Sequence, residues 1–391
     1  MTTAYSNSIT YGRQSIDDDD IAAVVAVLRS DFLTQGPAVP AFESGVAAYC
    51  GVSHAVAVNS ATSALHIACK ALGLGPGDTA WTSAITFAAS ANCALYCGAS
   101  IDFVDIDART YNMCADALAD KLADAERTGT LPKVVIPVHL TGQPCDMKAI
   151  AVLANQYGFK VIEDASHAIG ASYHGEKIGN CRYSDITVFS FHPVKIITSA
   201  EGGMAMTNSP ELAGAMRKFR SHGISADSAD MQPRPSSEIW NYQQVALGFN
   251  YRLTDLQAAL GLSQLAKLDA FVVTREHIAQ RYDQALANSN WIVPHQLTDT
   301  RSSRHLYVIR ANSDLRQQHT YNTLNERGIQ ANLHYIPVYR HPFFERMGFS
   351  AGYCPQAEAY FTSAISIPVH ATLAENDQTH IINCLHKLDV K

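Results

Sequence analysis

The chain has 391 residues, of which 47% are hydrophobic and 17% are charged, and its formal net charge is -7. This length exceeds what one hydrophobic core normally serves, so we expect a large domain and a smaller one. The acidic balance argues against nucleic acid or an anionic membrane surface as a standing partner, because both require basic surface, and it favours an enzyme that acts on small molecules.

Segments for targeting or membrane insertion are not evident in the sequence. No apolar stretch approaches a membrane span, and residues 1–14 have neither the basic nor the apolar region of a secretion signal. We therefore expect a cytoplasmic protein with no membrane partner. The nine cysteines lie mostly in apolar contexts, which is typical of reduced thiols. Cys93 and Cys97 are an alternative metal pair, but no second pair matches them, so no metal site is predicted.

The first third of the chain begins with a predicted helix at residues 15–29, in which the acidic run 17–20 precedes the apolar positions and has a structural role. A short strand at residues 55–58 then runs into a helix with one apolar face. Ser60 and Thr62 lie at the start of this helix, where free amide groups and the helix dipole favour an anion. A simple serine N-cap is the alternative interpretation, and it is the stronger one for such a turn in isolation.

From residue 80 to residue 163, predicted strands alternate with helices, which indicates a mostly parallel, doubly wound sheet. Ligands of such sheets gather at the carboxyl ends of the strands. Asp164 ends the strand KVIED and is expected at that edge, whereas Glu163 points to the opposite face. For Asp164, a helix cap and a functional carboxylate are equally weighted alternatives from this segment alone.

Lys195 lies between a predicted buried strand at residues 186–191 and a second strand at residues 204–207. Most lysines are solvated surface charges. The apolar neighbours in FHPVKII leave this amine little water, however, and a desolvated amine loses proton affinity and becomes a nucleophile able to form a Schiff base. Lys195 is therefore the first candidate for a catalytic residue.

The last third of the chain opens with one long predicted helix over residues 255–286, which links the two domains. A strand at residues 304–310, a helix at residues 314–327 closed by Gly328, and a further strand at residues 329–335 predict a small α+β domain. We expect residues 1–255 to form the large α/β domain with an N-terminal arm, and residues 256–391 to form the linking helix and the smaller domain.

An anion site at a helix N-terminus, a buried amine and a buried carboxylate together match the requirements of pyridoxal 5'-phosphate. The segments that carry these groups are VNSATSALH, EDASHAIGASY, FSFHPVKIITSAEGG, NYRLTDLQAALG and NLHYIPVYRHP. They resemble, in this order and over nearly the whole chain, the motifs of the sugar-nucleotide aminotransferases, a DegT-type branch of the fold type I pyridoxal-phosphate enzymes. Residues 11–37 and 81–107 resemble most closely the branch that serves pseudaminic acid biosynthesis.

The resemblance assigns roles residue by residue. It implies that Lys195 bonds covalently to the cofactor and that Asp164 pairs with its ring nitrogen. The further implied contacts are phosphate ligands at Ala61, Thr62 and Ser190, a stacking ring at Phe87, and substrate contacts at Tyr11, His334 and Tyr335. His167 stands where many members have a glutamine that touches the phenolic oxygen of the cofactor. Ala200 replaces the usual glycine before EGG, which we interpret as a tolerated change in a turn.

The resemblance also implies a homodimer with shared sites, in which Asn250 reaches the phosphate bound by the other subunit. The implied reaction takes an amino group from L-glutamate to C4 of a UDP-linked 4-keto sugar. Another UDP- or dTDP-linked 4-keto-6-deoxy sugar is an alternative substrate. A related dehydratase has histidine in place of Lys195, which argues against that activity, and a non-catalytic regulatory or binding relative remains the alternative of another class.

Overall fold

The structure, a computed structural model, describes residues 8–235, 237–311 and 314–389, without the side chains of residues 314 and 315. In these ranges the strands are β1 (His54–Val58), β2 (Thr79–Ser83), β3 (Ser100–Val104), β4 (Val134–Ile136), β5 (Lys160–Asp164), β6 (Ser172–Tyr173), β7 (Glu176–Lys177), β8 (Ile186–Ser190), β9 (Gly203–Thr207), β10 (Ile224–Ser225), β11 (Gln243–Gln244), β12 (Thr300–Arg301), β13 (Tyr307–Arg310) and β14 (Ala364–Ile367).

The α-helices are α1 (Asp18–Leu28), α2 (Ala38–Cys50), α3 (Ala61–Ala71), α4 (Ala89–Tyr96), α5 (Ala115–Thr128), α6 (Met147–Tyr157), α7 (Pro210–Arg220), α8 (Asp255–Leu265), α9 (Leu268–Leu286), α10 (Asp314–Glu326), α11 (Pro342–Glu345), α12 (Pro355–Phe361) and α13 (Glu375–Leu388). Two 3-10 turns lie at Leu140–Gly142 and Val338–Arg340.

Seven strands form the central sheet, in the order β1-β9-β8-β5-β4-β2-β3. The pairs from β8 through β5, β4 and β2 to β3 are parallel, whereas β9 is antiparallel to both of its neighbours, β1 and β8. The helices α4, α5 and α6 connect β2 through β3 and β4 to β5, whereas the connection from β5 to β8 contains the short strands β6 and β7. The predicted mostly parallel α/β sheet of a fold type I enzyme is confirmed.

Each face of this sheet is covered by its own hydrophobic core. Successive side chains of a strand point to opposite faces, so Val56 and Val58 pack into one core while Ala55 and Ala57 pack into the other. A third core lies outside the sheet and is built from α9, β13, β14 and α13, with Ile9 of the N-terminal arm packed against it. The division of the chain at residue 255 stays a prediction.

The long helix predicted over residues 255–286 is wrong as a single element, because α8 and α9 are two helices bent by 59° at residues 266–267. The helix α8 packs beside α1 and α2, whereas α9 contributes Ile278 and Tyr282 to the third core. Leu268 and Val272 at the start of α9 still belong to the core that contains Ala55 and Ala57, so the chain passes to the third core within α9. In the described part of the chain no single helix is long and apolar enough to cross a membrane, and α8 and α9 meet the requirements of length and composition only as a bent pair.

The strand predicted at residues 329–335 is also not formed as a regular strand. Ile329 pairs with Ile9 and Asn332 pairs with Ser366, each as an isolated bridge. Since successive residues pair with different segments on two sides, no continuous ladder develops. The segment instead delivers His334 and Tyr335 to the central cavity described below.

The acidic run at the start of α1 has the structural role that its position predicts. Asp17 accepts a hydrogen bond from the Asp20 N–H group at 3.2 Å, and Asp20 in turn accepts from the Asp17 N–H group at 3.1 Å, which forms a capping box. The fully buried Asp20 carboxylate also binds the Lys267 ammonium at 2.6 Å. This ion pair connects the start of α1 to the junction of α8 and α9.

A second buried carboxylate caps a helix that lacks a cap of its own. The residue before α2 is Pro37, which makes no side-chain cap. Asp255, the first residue of α8, accepts hydrogen bonds from the N–H groups of Gly36 and Ala38 at 2.7 Å and of Val39 at 3.1 Å. A carboxylate at a helix N-terminus is favoured by the helix dipole. Asp255 therefore joins two helices that are more than 200 residues apart in the sequence.

Replacing Asp255 by alanine is expected to lower the free energy of unfolding by about 2 to 4 kcal/mol, because three backbone N–H groups lose a charged acceptor. Urea denaturation followed by circular dichroism measures this change. Asp124→Ala is the matched control, since Asp124 forms an exposed ion pair with Arg127 on α5. A loss for Asp255→Ala no larger than that of the control would contradict the proposed capping role.

Candidate active site

A cavity of about 410 Å³ opens at the edge of the sheet where β5 and β8 end. The cavity brings together ten of the eleven predicted site residues. They are Tyr11, Ala61, Thr62, Phe87, Asp164, His167, Ser190, Lys195, His334 and Tyr335. Residues far apart in the sequence thus share one space, although the role of each of them stays a prediction.

The N-terminus of α3 forms one wall of this cavity. Ser60 is its N-cap and accepts a hydrogen bond from the Ser63 N–H group at 3.1 Å, so the N-cap interpretation is right for Ser60. The first N–H groups of a helix have no acceptor within the helix, and those of Ala61 and Thr62 are at the cavity. The cap and the anion site are therefore compatible, because they use different N–H groups.

A glycine allows β9 to lie against this helix end. A Cβ atom at Gly203 would lie 2.4 Å from the carbonyl carbon of Ser60 and 2.5 Å from the Ala61 nitrogen. Ser190 pairs with Gly203 across β8 and β9. The absence of a side chain at Gly203 thus brings the Ser190 hydroxyl group to the same wall as the α3 amides.

Asp164 is 4% exposed and has defined partners for both carboxylate oxygens. The Ser90 hydroxyl group donates to Oδ2 at 2.6 Å, and the Ser166 N–H group donates to Oδ1 at 3.1 Å. Ser90 is also hydrogen-bonded to Thr86 at 2.7 Å. The carboxylate accepts within a local turn and lines the cavity, but no helix begins at Asp164 within the described residues, so it is not a helix cap. Its functional role stays a prediction.

The preceding residue of β5, Glu163, confirms the expected alternation of side chains between the two faces of the sheet. Glu163 points away from the cavity and accepts hydrogen bonds from Ser184 at 2.5 Å and Thr187 at 3.1 Å. Its other oxygen lies 2.7 Å from Nε2 of the buried His139. The two neighbouring carboxylates therefore serve different environments.

Lys195 lies in the connection between β8 and β9. Burial lowers the pKa of its amine to about 8, against the opposing effect of the nearby Asp164 carboxylate. The Phe191 N–H group donates to Gly202 at 2.9 Å, and the Ser199 N–H group donates to Phe191 at 3.0 Å, which closes the base of the connection. Ala200 has a φ of 65°, a left-handed conformation that costs a residue with a Cβ atom about 1 kcal/mol. This conformation explains why glycine suits the position.

Three aromatic residues and a histidine form the wall opposite the sheet. The His334 ring lies 5.2 Å from the Tyr11 ring and 5.0 Å from the Tyr335 ring. Burial lowers the pKa of His334 to about 4, with a further contribution from Lys195, so this imidazole is neutral at pH 7. Phe87 is 60% exposed and lies 6.1 Å from Tyr335, at a place where a flat ligand could cover it.

His167 lies at the base of the cavity and is buried. Its Nδ1 atom accepts a hydrogen bond from the Thr141 N–H group at 3.3 Å, and its Nε2 atom lies 3.2 Å from the Tyr335 hydroxyl oxygen. Burial, and then the charge of Lys195, keep the pKa of His167 well below its usual range. The predicted contact of His167 with the cofactor stays a prediction.

Asn250 is the one predicted site residue that does not line the cavity. It is exposed and pairs only through a backbone bridge with Ser221 within the described residues. Its side chain therefore has no part in the site of its own chain as described. The predicted contact with the site of a second subunit stays a prediction.

Sequence reasoning missed the groups that hold the site residues in place. Ser90 and Thr86 support Asp164, Ser366 lies 2.8 Å from Nδ1 of His334, and Thr141 fixes His167. Each of these contacts joins segments whose proximity depends on the tertiary fold, except for Thr86 and Ser90 themselves, which are four residues apart. The four-residue spacing of Thr86 and Ser90 at the start of α4 was the one local signal in the sequence for these supporting contacts.

The donor set of this cavity fits pyridoxal 5'-phosphate. The amides of Ala61 and Thr62 and the Ser190 hydroxyl group suit a phosphate, the amine of Lys195 suits an aldehyde, and Asp164 suits a protonated ring nitrogen. The absence of a side chain at Gly203 is part of this fit, because a Cβ atom there would displace the N-terminal end of α3 from the cavity. These residues are the ones that would hold the cofactor.

Comparison with known proteins gives consistent matches over the length of the chain. The model of the DegT/DnrJ/EryC1/StrS aminotransferase family matches residues 14–386. The spore coat polysaccharide biosynthesis protein SpsC of Bacillus subtilis is 36% identical, with 99% of each chain covered. The UDP-4-amino-4,6-dideoxy-N-acetyl-beta-L-altrosamine transaminase of Campylobacter jejuni (serotype O:23/36) is 35% identical, with 97% of each covered.

Among solved structures, the chain is similar to Helicobacter pylori PseC, which is described as an aminotransferase involved in the biosynthesis of pseudoaminic acid. The TM-score is 0.89 at 31% sequence identity, and the match covers 98% of this chain and 99% of that one. The sequence and the fold thus point to the same group of proteins.

The lowered pKa of Lys195 predicts how its reactivity depends on pH. In the cofactor-free protein, acylation of Lys195 is expected to rise with a midpoint near pH 8, because only the neutral amine reacts and the pKa lies about there rather than at 10.5. Asp164→Asn removes the charge that favours the ammonium form, so the midpoint moves to lower pH. Peptide mass spectrometry after brief acetylation measures both profiles.

The exposed Lys148 in the same samples reports the pH profile of the reagent on a solvated amine. A Lys195 midpoint as high as 10.5, or a shift to higher pH in Asp164→Asn, would contradict the inferred burial and charge coupling.

Proposed function

The chain belongs to the DegT/DnrJ/EryC1/StrS aminotransferase family, and from this premise we propose that it transfers the amino group of L-glutamate to C4 of UDP-2-acetamido-2,6-dideoxy-β-L-arabino-hexos-4-ulose. It is a pyridoxal-phosphate-dependent sugar aminotransferase. The observation that carries the chemistry is the convergence of Lys195, Asp164 and the α3 N-terminus in one cavity.

Different residues of the cavity have different roles in amino transfer. Bound there, pyridoxal phosphate supplies a carbonyl group that takes up the amino group and a ring that withdraws electrons. Lys195 moves the proton from Cα of the donor amino acid, and later delivers a proton to C4 of the sugar. Its lowered pKa suits both steps, because a base near neutral pH can accept and return a proton.

Asp164 keeps the ring nitrogen protonated, and its own position depends on the hydrogen bonds from Ser90 and Ser166. A buried carboxylate favours a nearby positive charge. The α3 amides and Ser190 hold the phosphate group at the opposite end. The neutral His334 and the aromatic rings beside it limit the water that reaches C4.

The proposed substrate is supported by the names of two relatives. The Campylobacter transaminase is named for the 4-amino altrosamine sugar, and the Helicobacter structure for pseudoaminic acid biosynthesis. The Bacillus protein has a similar identity and is named for spore coat polysaccharide biosynthesis. A different UDP- or dTDP-linked 4-keto-6-deoxy sugar is therefore the second candidate substrate.

The same proposal includes a homodimer in the cytoplasm. Segment 239–247 carries large apolar side chains that are unusually exposed in one chain, namely Ile239 at 89%, Trp240 at 73% and Leu247 at 79%. Contiguous exposed apolar surface is typical of an interaction site. Asn250 lies three residues after this segment, and we propose that a second subunit binds here and brings its phosphate site to Asn250.

The choice of substrate is tested by offering the L-arabino and D-xylo 4-keto epimers separately with L-glutamate. We expect the L-arabino epimer to be preferred by roughly thirtyfold to a thousandfold in kcat/KM, because a cavity that hydrogen-bonds one arrangement leaves buried polar groups unpaired with the other. Release of 2-oxoglutarate at subsaturating sugar is the measurement.

The Lys195→Ala variant, assayed with the same sugars, is the negative control, because this variant lacks the catalytic amine. Equal or better use of the D-xylo epimer would assign the chain to another 4-aminotransferase of the family, while the cofactor chemistry would stand.

The shared site is tested by mixing two inactive variants, Lys195→Ala and Asn250→Ala. In a hybrid dimer both lesions fall in one site and the other site is intact. Each hybrid dimer is therefore expected to have about half the activity of a wild-type dimer. Coupled assay of the mixture after subunit exchange measures the recovery. If differently tagged subunits demonstrably exchange and no activity returns, each site is contained in one chain.

A further inference from the structure

Three groups form a chain of hydrogen bonds that ends at the cavity. The Thr141 N–H group donates to Nδ1 of His167 at 3.3 Å, and Nε2 of His167 lies 3.2 Å from the hydroxyl oxygen of Tyr335. The two rings are nearly parallel, with an angle of 25° between them and 6.1 Å between their centroids. Both nitrogens of the imidazole are thereby engaged.

The first of these contacts decides where the proton of the imidazole lies. A backbone N–H group can only donate, so Nδ1 must be the acceptor and carries no proton. Burial and the nearby charge of Lys195 exclude the doubly protonated ring at neutral pH. The proton is therefore on Nε2, and Nε2 donates to the Tyr335 oxygen.

The second contact decides the direction of the Tyr335 hydroxyl group. Burial, and then the Asp164 charge, raise the pKa of Tyr335, so the hydroxyl group keeps its proton at neutral pH. Because its oxygen already accepts from His167, that proton must point elsewhere. Within the described residues His167 is its one hydrogen-bond partner, and Tyr335 lines the cavity.

We propose that His167 is a positioning residue that fixes Tyr335 as a hydrogen-bond donor to the carbonyl oxygen of the keto sugar. A carbonyl oxygen only accepts hydrogen bonds, so it is the complementary group. The identity of this oxygen rests on the proposed function, whereas the direction of the hydrogen-bond chain rests on the contacts alone. His167 acts on the sugar through Tyr335.

The surroundings of His167 show that this arrangement is built into the fold. Gly142 has a φ of 95°, and a Cβ atom there would lie 2.5 Å from the Ser303 hydroxyl oxygen and 3.0 Å from the His167 carbonyl oxygen. The Ser303 hydroxyl group donates to that same carbonyl oxygen at 2.8 Å. The turn at Thr141 can therefore approach His167 only because its neighbour is a glycine.

The loop after Ser303 holds the other sides of the arrangement. The Leu306 N–H group donates to the Thr141 carbonyl oxygen at 3.2 Å, and the His305 ring lies 4.4 Å from the His167 ring. The buried Arg275 guanidinium donates to the His305 carbonyl oxygen at 3.2 Å. The imidazole is thus held on one side by a backbone donor and on another by a packed ring.

The direction of the hydrogen bonds predicts which replacement preserves them. A glutamine side chain has an acceptor and a donor on one amide, as a neutral imidazole has on two nitrogens. Its oxygen can accept from Thr141 while its nitrogen donates to Tyr335. This equivalence predicts that glutamine can replace His167 in this role, and it distinguishes a positioning role from simple packing.

The direct test is the tautomer of His167. In protein labelled with ¹⁵N-histidine, we expect long-range ¹⁵N–¹H spectra to show an unprotonated Nδ1 and a protonated Nε2 for His167 through the neutral pH range, with His167→Gln providing the assignment. A ring protonated at Nδ1, or at both nitrogens, would overturn the proposal whatever the substrate is.

The kinetic test compares His167→Leu, His167→Gln, Tyr335→Phe and the double variant His167→Leu/Tyr335→Phe with the wild type, using the keto sugar. We expect His167→Leu and Tyr335→Phe each to lose roughly tenfold in kcat/KM for the sugar, with a smaller loss for glutamate, because one hydrogen bond is lost. His167→Gln recovers most of the loss, and the double variant is no worse than the worse single variant.

Each other result contradicts the proposal. Losses that multiply in the double variant would show that the two residues act separately, and a His167→Gln as weak as His167→Leu would show a packing role. If no 4-keto sugar is aminated by the wild type, the proposed function fails, while the tautomer spectra still decide the hydrogen-bond chain.

Discussion

The approach of β9 to the start of α3 is the constraint on which the site depends. The strand lies antiparallel between β1 and β8, and Gly203 faces Ser60 and Ala61 with no room for a side chain. Because β8 and β9 are adjacent, the connection between them must turn back at this edge, and Lys195 is carried on that turn. One close contact thus sets the distance between the amine and the helix amides.

Strand alternation then separates two carboxylates that are adjacent in the sequence. Asp164 enters the cavity beside Ser90, whereas Glu163 is satisfied on the other face by Ser184, Thr187 and His139. A slip of one residue in the register of β5 would exchange them. The polar contacts of Glu163 therefore stabilise the register that places Asp164 in the wall of the cavity.

The local sequence was sufficient to predict most of the helices and strands and the chemical groups of the cavity. It was insufficient to predict the tertiary contacts that hold them in place. Hydrophobic periodicity located β5, α6 and β8 closely, and the apolar setting of Lys195 agrees with its lowered pKa. The single helix over residues 255–286 was wrong because hydrophobic periodicity does not register the 59° bend between α8 and α9. The strand at residues 329–335 was wrong because its bridges go to Ile9 and Ser366 on different segments. The capping of α2 by Asp255 likewise depends on the tertiary fold.

The N-terminal arm gives the molecule a particular order of assembly during synthesis. Tyr11 lines the cavity, yet the arm that carries it is paired through Ile9 with Ile329, and the Val369 N–H group donates to the Tyr11 carbonyl oxygen at 3.2 Å. A nascent chain that has emerged from the ribosome as far as β9 already contains the amine, the carboxylate and the helix amides. Its cavity stays open on one side until residue 369 has been translated, so the arm residues Ile9 and Tyr11 reach their native contacts only after most of the chain has been made.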